Sequence, residues 1–315
     1  MPNKKELPKN PSFELQRDLL IHPESNPTAY VAFEQALAHK FVPDATTWSR
    51  VNAWWLADAS WIAYTHDAAA VRDVFRSRAG MDSCELIAGT GTECYLAQRS
   101  SFAIVTFRGT QPDDWNDLFN IARFGTTAWD VGRVHEGFAD ALEAIWEPLE
   151  KALNGLQDRR VWFTGHSLGG ALATFAAFRR RNRLAGVYTF GSPRVGNGEF
   201  AAQLDAALVN KSFRYVNDHD AVTHMPPKPF AFPHGGYTHI SELRSINKDG
   251  QVSTTEPTVS HFALDVFGDP GVGVLLDIIN LLHQGHRITL PDTLTDHTPL
   301  YYALHTWNDF AVNGA

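Results

Sequence analysis

Cysteine is scarce in this chain: Cys84 and Cys94 are the only two among 315 residues. Two thiols cannot build a disulfide framework. They flank Gly89-Thr90-Gly91, a turn candidate, so a cross-strand bridge is the alternative to the expected pair of free thiols. Also absent is any apolar run long enough to span a bilayer. The residues through Asn26 are polar and Pro-rich and lack the apolar segment of a signal peptide. The expectation is therefore a cytoplasmic protein, or a secreted one if a leader has been removed. Positive charge is not in excess either. The net charge is −8, which excludes a broad basic footprint for nucleic acid. The one basic cluster, Arg179-Arg180-Arg181-Asn182-Arg183, falls where a helix ends and cations complement the dipole. There is no Pro-, Gly- or Ser-rich linker and no internal repeat. We expect a loosely attached N-terminal arm, residues 1–27, and a single domain, residues 28–315. Hydrophobic residues make up 44% of the chain, enough for a large core.

What is present centres on Val161-Trp162-Phe163-Thr164-Gly165-His166-Ser167-Leu168-Gly169-Gly170-Ala171-Leu172-Ala173. A short β-branched and aromatic run stops at Gly165, and a small-residue helix pattern starts just after Ser167. Gly-x-Ser-x-Gly in a strand–turn–helix setting is a nucleophile elbow. A side chain at Gly165 or Gly169 clashes where strand and helix approach. The turn strains Ser167 and lifts its hydroxyl to the N-terminus of a helix, where developing negative charge is favoured. The motif alone is weak. The strand before it, Gly170 and the Ala-rich helix after it make Ser167 the candidate nucleophile.

The rest of the chain reads as strands alternating with helices. A helical pattern opens at Tyr30, carries Trp54, Trp55, Ala59, Ile62 and Ala63, and breaks near Asp67 before Val71, Val74 and Phe75. Its tryptophans are expected to pack on a sheet. Cys84 to Ala88 and Glu93 to Gln98 form a hairpin pattern. Phe102 to Phe107 is continuously apolar, as in a strand covered on both faces. A helix runs from His135 to about Leu153 with Phe138, Leu142, Ile145, Trp146, Leu149 and Leu153 on one face. Val161 to Thr164, Val187 to Phe190 and Phe213 to Val216 are further strands. The alternation predicts an α/β fold with a mostly parallel central sheet and helices on both faces. Active groups of such folds gather at the C-terminal strand ends.

A nucleophilic serine needs a base, an orienting acid and an oxyanion hole. In this kind of fold the order is Ser, acid, His. The strand ending at Val216 runs into Asn217-Asp218-His219-Asp220, and either aspartate is a candidate acid. Metal binding by Asp218, His219, Asp220 and His224 is a weaker alternative, because that spacing fits no ligand signature. Eight histidines follow Asp220: His224, His234, His239, His261, His283, His286, His297 and His305. Sequence order cannot choose among them. His297, in a turn-rich loop, is favoured over His305, which falls inside a helix pattern from Leu300 to Trp307. His283 and His286 look like a helix end.

The backbone N–H of Leu168 is one expected oxyanion donor, and the loop Arg108-Gly109-Thr110 is the obvious source of the other. Each donor stabilises a transition state by roughly 2.7–4 kcal/mol. Beyond it, Trp115, Leu118, Phe119 and Ala122 share one face of a short amphipathic helix pattern. A lid over an acyl groove is one reading, and a fixed surface helix the other. Burying each large side chain stabilises a closed lid by roughly 1.5–3 kcal/mol.

These residues together resemble the class 3 lipase family, the fungal-type triacylglycerol lipases of the α/β-hydrolase superfamily. The resemblance runs from about Asn52 to Trp307. It rests on Phe107-Arg108-Gly109-Thr110, Val134-His135-Glu136-Gly137-Phe138, the elbow, Tyr188-Thr189-Phe190-Gly191-Ser192-Pro193-Arg194-Val195-Gly196-Asn197, Val216-Asn217-Asp218-His219-Asp220-Ala221-Val222 with Met225-Pro226-Pro227, and Asp296-His297 followed by Tyr301-Tyr302. It implies Ser167, Asp220 and His297 as the triad, Thr110 with Leu168 as the oxyanion hole, and a lid bearing Trp115, Leu118 and Phe119. It implies an ester lipid or small ester substrate, action at a lipid–water interface, and no metal or organic cofactor. Phospholipase A1, short-chain or feruloyl-type esterase and non-catalytic lipid binding are the alternatives. The span from Asp220 to His297 is long for the family. Val259 to Leu290 has no counterpart in it and is expected to form an extra helix near the active-site mouth.

Overall fold

Apolar runs that are hydrophobic at every position need cover on both faces, and they form the middle of the sheet. The structure, a computed structural model, describes residues 2–7, 21–26, 28–109, 125–226, 236–255 and 295–314. The strands are β1 (Ser83–Ala88), β2 (Glu93–Gln98), β3 (Phe102–Phe107), β4 (Thr126–Ala128), β5 (Arg133–His135), β6 (Arg160–His166), β7 (Leu184–Phe190), β8 (Gly196–Asn197), β9 (Ser212–Asn217), β10 (Tyr237–Thr238), β11 (Glu242–Ile246) and β12 (Val252–Ser253). Eight of them form one sheet in the order β1-β2-β3-β6-β7-β9-β11-β12. β3, β6, β7, β9 and β11 run parallel, and the pairings at both ends are antiparallel. All residues of β3, β7 and β9 are buried.

Period-two alternation sorts the core into two layers. Trp162, Tyr188, Tyr215 and Ile104 face one cluster, and Phe163, Val187 and Val105 face the other. The first layer is covered by α1 (Arg50–Ile62), with α2 (Ala68–Ser77) after it, and by the last helix, Pro299–Asn313. Trp54 of α1 packs edge-on to Trp307 at 4.7 Å and stacks on Phe310 at 5.7 Å. The tryptophans of α1 are thus core residues. The second layer is covered by α3 (Glu136–Asn154), α4 (Leu168–Arg180) and α5 (Gly198–Ala207), so the helix at Pro299–Asn313 is α6. Arg179 and Arg180 end α4, and the Arg179 guanidinium lies over the rings of Trp129 and Trp146.

Several expectations change. The helix expected from Tyr30 begins only at Arg50. The Asp58 carboxylate accepts from the Phe33 N–H at 2.7 Å and the Tyr30 hydroxyl at 2.5 Å, and Phe33 sits at φ 59°. Those bonds fold residues 30–33 onto α1 instead of extending it. Nor does the described part of the arm lie loose. The Lys5 N–H donates to Asn308 Oδ1 at 2.7 Å, Asn308 returns a bond to the Lys5 carbonyl at 3.0 Å, and Leu7 packs on the core. Cys84 and Cys94 are free and buried. Cys84 pairs with Ala97, and Cys94 with Ile87. Three rungs at about 3.4 Å each separate them, beyond the reach of a disulfide. A second, four-stranded sheet, β10-β8-β5-β4, was not expected. Among the described residues no helix is long and apolar enough to cross a membrane.

Candidate active site

The parallel register sets strand ends side by side: Phe107 pairs with Gly165, and His166 with Phe190. β6 ends at His166 and α4 begins at Leu168, so Ser167 alone makes the turn, at φ 57° and ψ −128°. This is a strained backbone for a residue with a side chain, and the surrounding structure must hold it there. The Ser167 N–H is bound to the Phe190 carbonyl at 2.9 Å. A Cβ at Gly165 would lie 2.2 Å from the carbonyl group of Gly169, so only glycine lets strand and helix approach this closely.

Ser167 Oγ lies 2.9 Å from His297 Nε2. His297 Nδ1 lies 2.9 and 3.0 Å from the two carboxylate oxygens of Asp220. The three side chains come from the β6–α4 turn, the loop before α6 and the turn after β9. All are buried, Asp220 completely. Asp220 is fixed by accepting the Val222 N–H at 2.9 Å and the Tyr302 hydroxyl at 2.6 Å. With its Nδ1–H given to the carboxylate, His297 presents the Nε2 lone pair to the serine hydroxyl, the tautomer needed of a general base.

Two supports escaped sequence reasoning. Tyr302 donates to Asp220 and accepts from the Asn217 N–H at 3.0 Å. Burial and the neighbouring Asp220 push its phenol well above the usual tyrosine range, so it stays a donor. His166 donates Nε2–H to the His297 carbonyl, while its Nδ1 accepts a hydrogen bond from the Tyr64 hydroxyl at 2.8 Å. Burial, with His297 nearby, holds the His166 imidazole well below the usual histidine range. Its position inside Gly-x-Ser-x-Gly was visible in the sequence, but its partners were not. Gly191, at φ 58°, lies under the pair: a Cβ there would be 2.8 Å from Asp220 Oδ2 and 3.0 Å from His297 Nδ1.

The competing candidates lie elsewhere. Asp218 pairs with His219 Nδ1 at 2.9 Å. His305 lies on α6 beside Tyr301, and a Cβ at Gly250 would be 2.9 Å from its Nδ1. Asp220 is committed to His297, so the four-residue metal grouping is not assembled. Asp218 and His219 instead share a cluster of ligand-type atoms with Asp296. Leu168 opens α4, where the backbone N–H has no intrahelical acceptor. The β3 end approaches the elbow, since a Cβ at Gly109 would be 2.7 Å from the His166 carbonyl. Thr110, Trp115, Leu118, Phe119 and residues 259–290 lie outside the described residues.

A mixed sheet with helices on both faces and a serine elbow at a parallel strand end is the α/β-hydrolase architecture. Residues 104–230 match the model of the family described as lipase (class 3). A Caenorhabditis elegans protein named lipase ZK262.3 is 39% identical over 136 residues, covering 39% of this chain and 37% of that protein. The secreted mono- and diacylglycerol lipase 1 of Fusarium solani is 32% identical, covering 52% of each. The triacylglycerol lipase OBL1 of Arabidopsis thaliana is 29% identical, covering 44% of this chain and 37% of that protein. The chain thus spans about half the length, or less, of these curated relatives. A deletion mutant of the Rhizomucor miehei lipase propeptide complex shares the fold, with a TM-score of 0.53, 21% identity, and coverage of 77% of this chain and 89% of that one.

Proposed function

We propose that this chain is a serine hydrolase of carboxylic esters, with acylglycerols as its substrate class. The observation that carries the reading is the continuous line from Ser167 Oγ through the His297 ring to Asp220. In the proposed cycle His297 takes the proton of Ser167 as the hydroxyl attacks the ester carbonyl. The oxyanion is held by the N–H groups of Leu168 and Thr110. His297 returns the proton to the leaving alcohol, and water then attacks the acyl-enzyme by the same route. Asp220 holds the imidazole in its tautomer and stabilises the imidazolium.

The relatives' printed names, mono- and diacylglycerol lipase and triacylglycerol lipase, support acylglycerols over other esters. Several are named secreted, which supports export of this chain. Work at a lipid–water interface, with Trp115, Leu118 and Phe119 on a lid, belongs to the same proposal. The test is hydrolysis of p-nitrophenyl esters of graded chain length beside emulsified mono-, di- and triacylglycerols and phosphatidylcholine. The proposal expects release of fatty acid from acylglycerols, and Trp115→Ala changes emulsion and soluble-ester rates unequally. Activity confined to phosphatidylcholine or to short esters would overturn the substrate class, and parallel changes would overturn the lid.

A further inference from the structure

Beyond the end of α1, three residues from two separate stretches of chain are gathered. His22 and Glu24 belong to residues 21–26, and His66 follows α1 by a few positions. We infer that His22, Glu24 and His66 form a site for one divalent transition-metal ion of the Zn²⁺ class, which clips residues 21–26 to the end of α1.

The ligand-type atoms of the three side chains lie within 4.8 Å of one another. His22 Nδ1 is 3.0 Å from the Tyr64 carbonyl oxygen. A carbonyl only accepts, so Nδ1 carries the proton and the neutral ring has its lone pair on Nε2. Metal-ligating histidines characteristically make this outer bond, which fixes the tautomer and the ring plane. His22 is buried, 4% exposed, and therefore a fixed donor. The side chains of His66 and Glu24 are 62% and 38% exposed, so an ion can enter and both groups can turn. His66 Nδ1 lies 2.6 Å from Glu24 Oε1, and the His66 N–H donates to the same oxygen at 3.1 Å.

Two imidazoles and a carboxylate are a donor set suited to zinc. At bonds of about 2.1 Å, tetrahedral donors lie about 3.4 Å apart. Rotation of the two exposed side chains toward the fixed His22 closes the remaining distance, and water takes the fourth position. The hydrogen bond between Glu24 and His66 accounts for two of the three groups. It leaves unexplained why a second imidazole with a fixed lone pair is stacked on His66, with ring centroids 4.1 Å apart. Coordination uses all three. The clip also bears on the serine site from behind, because the Tyr64 that orients His22 through its carbonyl holds His166 through its hydroxyl.

The test is equilibrium dialysis of the EDTA-treated full chain against Zn²⁺, with Tm measured alongside. The wild type is expected to bind one tight equivalent and to rise in Tm, reversibly with EDTA. His66→Gln, at an exposed position, and Glu24→Gln should each weaken binding at least about tenfold, as even loss of an outer-shell partner does. His219→Gln, in the Asp218–His219–Asp296 cluster, should keep it. Co²⁺ in place of Zn²⁺ should give the visible spectrum of a four-coordinate site in the wild type and lose it in His66→Gln. Absence of tight binding, unchanged affinity in His66→Gln, or loss of the tight equivalent in His219→Gln would each overturn the assignment.

Discussion

The imidazole of His166 donates to the carbonyl oxygen of His297, so the residue before the serine grips the backbone of the residue that faces it. Sequence separates them by 131 positions. The elbow thus does two things at once: it turns Ser167, at φ 57°, to face His297, and it anchors the loop from which the histidine reaches it. Tyr64 completes the arrangement by binding His166 Nδ1, which keeps the Nε2 proton available to the carbonyl.

This anchoring predicts a rate defect without a binding defect. His166→Phe removes the bond and lets the His297 loop shift. Displacements of about 1 Å at such sites cost on the order of 10²-fold in rate. We expect kcat on a soluble ester to fall by about that much, with KM nearly unchanged and circular dichroism native. His166→Gln, whose amide can still donate, should recover part of the loss. Equal activity in all three proteins would remove the anchoring role.

The two aspartates after β9 should separate cleanly. Asp220→Asn keeps the shape but loses the charge that fixes the His297 tautomer, an exchange that costs about 10⁴ in comparable triads. Asp218 contacts His219 and not His297, so Asp218→Asn should stay within a few fold of wild type. Steady-state kcat of the two variants decides it, and equal losses would undo the choice of Asp220.

Tyr302→Phe takes a hydrogen bond from Asp220 and leaves the buried Asn217 N–H without its acceptor. An unpaired buried group costs about 1–3 kcal/mol. Urea unfolding should show that loss of stability, together with a reduced kcat. A stability loss with wild-type kcat would make Tyr302 purely structural.

Stability should also depend on pH in a defined direction. Burial, with Lys4 nearby, lowers His305 to about 4, and burial with His297 lowers His166 well below its usual value. As pH falls below about 6.5, the unfolded chain gains protons at both histidines that the folded chain refuses, so each contributes a loss of stability on acidification. Asp58 works the other way. Burial, partly offset by bonds from Tyr30 and Phe33, raises it to about 7. The folded chain keeps a proton that the unfolded chain has lost, so this contribution fades as pH rises from about 4 to 7. Two histidines opposing one carboxyl leave a net loss of stability as pH falls from about 6.5 to 4.5. Asp58→Asn should steepen the loss, and His305→Gln should flatten it. Urea melts at pH 4.5, 5.5 and 6.5 measure the slopes, and identical slopes in all three proteins would contradict the burial argument.

The parts of this fold written locally were legible in the sequence. β3 is apolar at every position but Thr106, and the elbow needs glycine at fixed offsets, so both leave a signature in a dozen residues. The strands of the second sheet are two or three residues long, too short to show a period. The turn structure at Tyr30 to Phe33 depends on Asp58, 25 positions from Phe33, which no helical spacing reports. The choice of His297 among eight histidines is of the same kind. Residues binding its backbone and its acid, His166 and Tyr302, do so across long separations, and the resemblance supplied what periodicity could not.

The central claim is that Ser167 is the group that attacks the ester. The most direct measurement is labelling with a fluorophosphonate probe, followed by mass spectrometry of the modified peptide. We predict one covalent adduct per chain, on Ser167, absent from Ser167→Ala and formed much more slowly in His297→Ala. Turnover in Ser167→Ala should fall by about 10⁶. No adduct, an adduct on another residue, or near-full esterase activity in Ser167→Ala would contradict the account.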